Sequence, residues 1–82
     1  MYIKIASLRN CPNCKQLTML LNRQGIEYEY RLYDPNDVND MAEMSYLDIY
    51  TAQFPVVWID GKRLPAMTVA DYMREILGVC ID

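Results

Sequence analysis

Residues 2–32 place two cysteines at the joint between a strand and a helix, and that arrangement narrows the folds open to the chain. Tyr2-Ile3-Lys4-Ile5-Ala6 alternates and is rich in β-formers, which predicts a strand. Ser7 to Asn10 reads as a polar loop, and Cys11-Pro12-Asn13-Cys14 follows it. Pro12 suits the first position of a helix, where a backbone N–H has no intrahelical acceptor. The helix is predicted from Pro12 to about Gln24. Leu17, Leu20 and Leu21 give an i, i+3, i+4 stripe that Cys14 extends, and Gly25 is placed to stop it. Ile26, Tyr28, Tyr30 and Leu32 then alternate with Glu27, Glu29 and Arg31, which predicts a second strand from Ile26 to Leu32. Strand, helix and strand in so short a stretch predict a right-handed βαβ unit.

The remaining signals complete one small domain. Asp34-Pro35-Asn36-Asp37 is a turn with helix-capping residues, and a second helix is predicted from Val38 to about Leu47. Thr51 to Gln53 returns to loop. Pro55 to Ile59 predicts a strand, Asp60-Gly61 a hairpin turn, and Lys62 to Ala66 a strand pairing back. Thr68 caps a last helix with Asp71 three residues on. Its apolar face is Val69, Tyr72, Met73, Ile76 and Leu77, and Gly78 is its expected stop. The order β-α-β-α-β-β-α over residues 1–82 predicts an α/β domain with helices on both faces of a four-stranded mixed sheet.

Composition excludes several classes of function. Net charge is −3, which argues against general affinity for nucleic-acid backbones. No apolar run reaches the roughly 20 residues that a bilayer span needs. The segment from Met1 to Ser7 lacks the apolar stretch of a signal peptide. Three cysteines are an odd count, unlike a secreted disulfide scaffold, so a reducing cytoplasm is the expected location.

A cysteine at a helix start is chemically favoured as a thiolate. The first turn offers unsatisfied N–H groups and a partial positive charge, and the thiolate is the nucleophile in disulfide exchange. Arg9 and Lys15 flank the pair and add positive charge. Cys11 is therefore the candidate attacking thiol, and Cys14, one turn in and nearer the core, the resolving one. Two other readings of the pair stay open. Zinc also uses Cys-x-x-Cys, but tetrahedral zinc takes four ligands, and only Cys80 remains in a chain without histidine; no metal is expected. Two inert buried cysteines are the other reading. Cys80 reads as a packed apolar side chain or as a regulatory thiol.

Cys11-Pro12-Asn13-Cys14, Gln53-Phe54-Pro55-Val56-Val57 and Asp60-Gly61 together resemble the glutaredoxin family, over nearly the whole chain in size and element order. The resemblance implies the thioredoxin/glutaredoxin fold and a cis Phe54–Pro55 bond facing the cysteine pair. Cis costs an X-Pro bond little, and the backbone of Phe54 would then be offered to an extended substrate. It further implies a dithiol–disulfide oxidoreductase with no tightly bound cofactor and glutathione as co-substrate. The implied binding residues are Arg9, Pro12, Asn13, Lys15, Gln53, Phe54, Pro55, Met67 and Thr68. Pro65-Ala66-Met67-Thr68-Val69 stands where the family usually carries Gly-Gly, an aromatic residue and a Ser/Thr/Asp-Asp pair, so that Thr68 matches and Val69 replaces the Asp. Gln-x-Pro-Val-Val is closer to the glutaredoxin-like hydrogen donors of ribonucleotide reductase, which take electrons from thioredoxin reductase. Glutathione and a thioredoxin-reductase-like flavoprotein are thus both candidate reductants, and ribonucleotide reductase is a candidate client.

Two other functions are compatible with the fold: glutathione-dependent iron–sulfur carriage, and a non-catalytic interaction module. A monomer is expected, with no nucleic-acid or membrane partner. Asp34, Asp37, Asp40, Glu43 and Asp48 fall where no Lys or Arg occurs, and read as a solvated helix face or as a docking face for a basic partner. Met19, Met41, Met44, Met73 and Trp58 are expected in or near the core, and Met67 beside a substrate groove.

Overall fold

The computed structural model describes residues 2–81, with side chains described for residues 2–78. The elements are β1 (Ile3–Leu8), α1 (Pro12–Arg23), β2 (Glu29–Tyr33), α2 (Val38–Tyr46), β3 (Val56–Ile59), β4 (Lys62–Arg63) and α3 (Val69–Ile81). The four strands form one sheet in the order β2-β1-β3-β4. β1 runs parallel to β2, with Ile5 opposite Tyr30 and Ser7 opposite Leu32, and antiparallel to β3, with Ile5 opposite Val57. The β-α-β-α-β-β-α order and the mixed sheet follow the sequence expectation.

Local chemistry fixes the element ends. α1 is capped at its start by the Cys11 side chain, with Pro at the first helical positions. It ends in a reverse turn at Gly25, whose φ is +69°. There the Ile26 N–H donates to the Leu21 carbonyl at 3.0 Å and the Gly25 N–H to the Asn22 carbonyl at 3.1 Å, the paired bonds of a Schellman cap. α2 ends the same way, with Ile49 N–H on Met44 O and Asp48 N–H on Ser45 O. Here Asp48, not glycine, takes the positive φ, +59°. Asp60 and Gly61 both have positive φ, as a two-residue I′ hairpin turn requires.

The sheet divides the apolar interior. On one face, Ile3, Ile5, Val57 and Ile59 pack with Leu17 and Leu21 of α1 and with Val69, Tyr72, Met73 and Ile76 of α3. On the other, Ala6, Tyr33 and Val56 pack with Met44 and Ile49. This layering explains most of the spacing read from the sequence.

Several expectations are corrected. The polar loop expected from Ser7 starts later, because Ser7 and Leu8 extend β1 by pairing with Leu32 and Tyr33. The second strand begins at Glu29 rather than Ile26, and the fourth spans only Lys62–Arg63 rather than reaching Ala66. Gly78 does not end the last helix, which runs on to Ile81; one glycine costs a helix only about 1 kcal/mol. Met19 is exposed, not near the core. Trp58 does lie near the core as expected: it is half-buried and packs against the α2-side cluster, with the Lys4 ammonium 5.7 Å from its ring centre. The acidic stretch is more than a solvated face. Asp37 caps α2, Asp40 pairs with Arg31 at 2.8 Å and accepts from the Asp34 N–H, and Glu43 accepts from the Tyr33 hydroxyl. Cys80 lies in α3, but its side chain falls outside the described residues.

Candidate functional site

The site is built where β1 hands over to α1. Asn10 has a positive φ of +62°, a conformation asparagine tolerates better than most residues. The chain turns sharply there, and Cys11 follows as the helix cap with an extended backbone. The Cys14 N–H donates to Cys11 Sγ at 3.2 Å, and the Lys15 N–H donates to the Cys11 carbonyl at 3.1 Å. Cys11 and Cys14 form a disulfide with Cα atoms 5.3 Å apart. Cys14 is 1% exposed, whereas Cys11 is half-buried. Cys11 thus lines the groove beside the helix N-terminus, and Cys14 is buried one turn in.

A groove of about 630 Å³ opens at Cys11 between α1 and β2. It is lined by Arg9, Cys11, Pro12 and Lys15, all named from the sequence, and also by Tyr30 and Leu32 of β2. Asn13 is exposed in the first turn of α1.

The other implied binding residues lie toward β3 and α3. The Phe54–Pro55 bond is cis. Phe54 packs against the α2-side core, and Pro55 is buried. Gln53 lines a separate pocket of about 120 Å³ with Arg63, Ala66 and Tyr72. Met67 packs against the α1–α3 core instead of lining either space. Thr68 caps α3 by accepting from the Asp71 N–H at 3.2 Å. The structure therefore gathers Arg9, Pro12 and Lys15 in the groove at Cys11, and Gln53, Phe54, Pro55, Met67 and Thr68 lie outside it.

Sequence reasoning missed the hydroxyl of Tyr72. It is within hydrogen-bond reach of the carbonyls of Pro55, at 3.2 Å, and Pro65, at 3.3 Å. It ties the loop before β3 to the loop before α3. Burial pushes the Tyr72 phenol upward from its ordinary value, and burial does the same for Tyr33, helped by Glu43. Tyr72 reads in sequence only as one apolar position of a helical stripe. Its polar end is what a buried tyrosine must satisfy, and that requirement is the one available signal.

A redox-linked cysteine pair at the start of the first helix of this sheet defines a thioredoxin-fold thiol–disulfide oxidoreductase. The chain belongs to the glutaredoxin family, whose model matches residues 1–64. The fold is similar to that of a point mutant of the thioredoxin-like protein BC3987. That likeness has a TM-score of 0.65 and 20% identity, and covers 90% of this chain and 97% of the other. It is also similar to an arsenate-reductase-related protein from Brucella melitensis. There the TM-score is 0.57 and the identity 17%, with 93% of this chain and 95% of the other covered. Comparison with curated proteins finds no match. No helix among the described residues is long and apolar enough to cross a membrane.

Proposed function

We propose that the protein reduces disulfides of protein clients by a dithiol mechanism in which Cys11 attacks and Cys14 resolves. The observation that carries this reading is the Cys14 N–H donating to the Sγ of half-buried Cys11 at the amino end of α1. A hydrogen bond and a helix N-terminus both favour the thiolate over the thiol. In the reduced protein, the Cys11 thiolate bonds to one client sulfur. The client S–S bond breaks, and the departing thiolate takes up a proton. Cys14 then loses its proton and attacks Cys11 Sγ, which releases the second client thiolate and closes the Cys11–Cys14 disulfide. Two electrons have passed to the client.

A thiol reductant must return those electrons. Glutathione is the co-substrate favoured by the family, and a thioredoxin-reductase-like flavoprotein is the competing source. Arg9, Pro12, Asn13, Lys15, Gln53, Phe54, Pro55, Met67 and Thr68 are the residues that the family resemblance assigns to the substrate or to glutathione. Ribonucleotide reductase is a client suggested by the Gln-x-Pro-Val-Val run.

NADPH oxidation with a disulfide substrate tests both sources, once with glutathione plus glutathione reductase and once with thioredoxin reductase. Cys11→Ser abolishes turnover in this reading, and Cys14→Ser accumulates a mixed disulfide with the client that mass spectrometry detects. Folded protein inactive in both assays, or Cys14→Ser that still turns over protein disulfides at the normal rate, would overturn it.

A further inference from the structure

α1 leaves part of the sheet uncovered. Ile5 and Ser7 of β1 stand opposite Tyr30 and Leu32 of β2. Ile5 is 0% exposed, yet Tyr30 and Leu32 on the same face keep 46% and 44% of their surface. With Leu8 and Pro12 they give the groove at Cys11 an apolar wall. Its charge has one sign. Arg9 and Lys15 line it and no Asp or Glu does, and among the described residues neither cation has a carboxylate within 4.0 Å. This occurs in a chain of net charge −3. Asp40 and Glu43 are engaged by Arg31 on the α2 side instead. β2 is also the edge of the sheet, and an edge strand offers backbone groups to an extended segment.

We infer that this groove receives an extended acidic segment of the client flanking its disulfide. An apolar client side chain rests on Tyr30 and Leu32, and client carboxylates meet Arg9 and Lys15. The inference deepens the reading above and rests on Cys11 being the attacking thiol. Opposite charge speeds encounter, and like charge turns basic segments away. The apolar wall supplies contact that charge alone does not.

The test is stopped-flow reduction by the fully reduced protein of two peptides, each carrying one disulfide to a small fluorescent thiol. One peptide has a leucine and several Asp and Glu beside its cysteine; the other has Lys in place of the acids. Hydroxyethyl disulfide is the reference. The acidic peptide should react about tenfold faster than the basic one at low salt, with the gap closing as salt rises. Tyr30→Ser with Leu32→Ser should lower the ratio of acidic-peptide to reference rate about tenfold. Equal rates for the two peptides in the wild-type protein would overturn the inference without any variant. An unchanged ratio in a variant shown to be folded would do the same. A dimer in sedimentation that Leu32→Ser dissolves would give the groove to a second copy of the chain and overturn it too. Failure to reduce any of the three substrates would instead sink the disulfide-reductase reading itself.

Discussion

At the scale of single residues, the hydroxyl of Tyr72 carries more than its place in an apolar stripe suggests. It is shared between the carbonyls of Pro55 and Pro65, so it holds the cis-proline loop against the start of α3. Tyr72→Phe keeps the ring and deletes the donor. A buried carbonyl left without its partner costs about 1–3 kcal/mol. Urea unfolding should show a loss of that size with an unchanged denaturant slope. Cys11 and Cys14 were legible as a candidate pair because everything that places them is local: the strand before, the proline after, the helix start. Tyr72 was not, because both its partners belong to loops that only the fold brings to it.

At the scale of elements, the caps show how much a local rule decides. Gly25 stops α1 where expected, and α2 uses the same cap with Asp48 in the position that favours glycine. Its left-handed backbone is costly for a residue with a side chain. Asp48→Gly should therefore raise stability by about 0.5–1 kcal/mol, read as a higher urea midpoint. The Asp48 carbonyl that accepts from Arg63 belongs to the main chain and survives the change. Long periodic elements were legible in the sequence, and their ends were less so. β1 continues through Ser7 and Leu8 because tertiary pairing with β2 outweighs the polar look of that stretch. The alternation of Tyr30 and Leu32 correctly announced a strand. It did not announce that their face would be left bare, since that depends on how far α1 reaches. The ion pairs of the acidic run were not legible for a similar reason: its partners, Arg31 and Tyr33, lie on a strand that only folding sets beside α2.

For the whole molecule, two buried tyrosines add a pH dependence on the alkaline side. Tyr33 and Tyr72 are 0% and 2% exposed, and burial shifts both phenols above the ordinary value of 10.0. The folded state thus holds these protons more tightly than the unfolded chain does. Their stabilising effect is fully present below about pH 10 and is lost as pH rises through the raised values. Urea midpoints should be flat with respect to this pair up to about pH 10 and fall above it. Tyr33→Phe should make the fall shallower, and a fall no shallower in Tyr33→Phe, Tyr72→Phe would contradict the assignment.

The sheet also acts as a bulkhead between two apolar compartments. Ile76 belongs to the compartment under α1 and α3, and Ile49 to the one under α2. Side chains that share no neighbours do not repack in answer to one another. Ile76→Val and Ile49→Val, each costing about 1 kcal/mol, should add in the double variant to within about 0.5 kcal/mol. A small chain built this way meets core damage in two separate holds, and a change that thins one leaves the other at full strength.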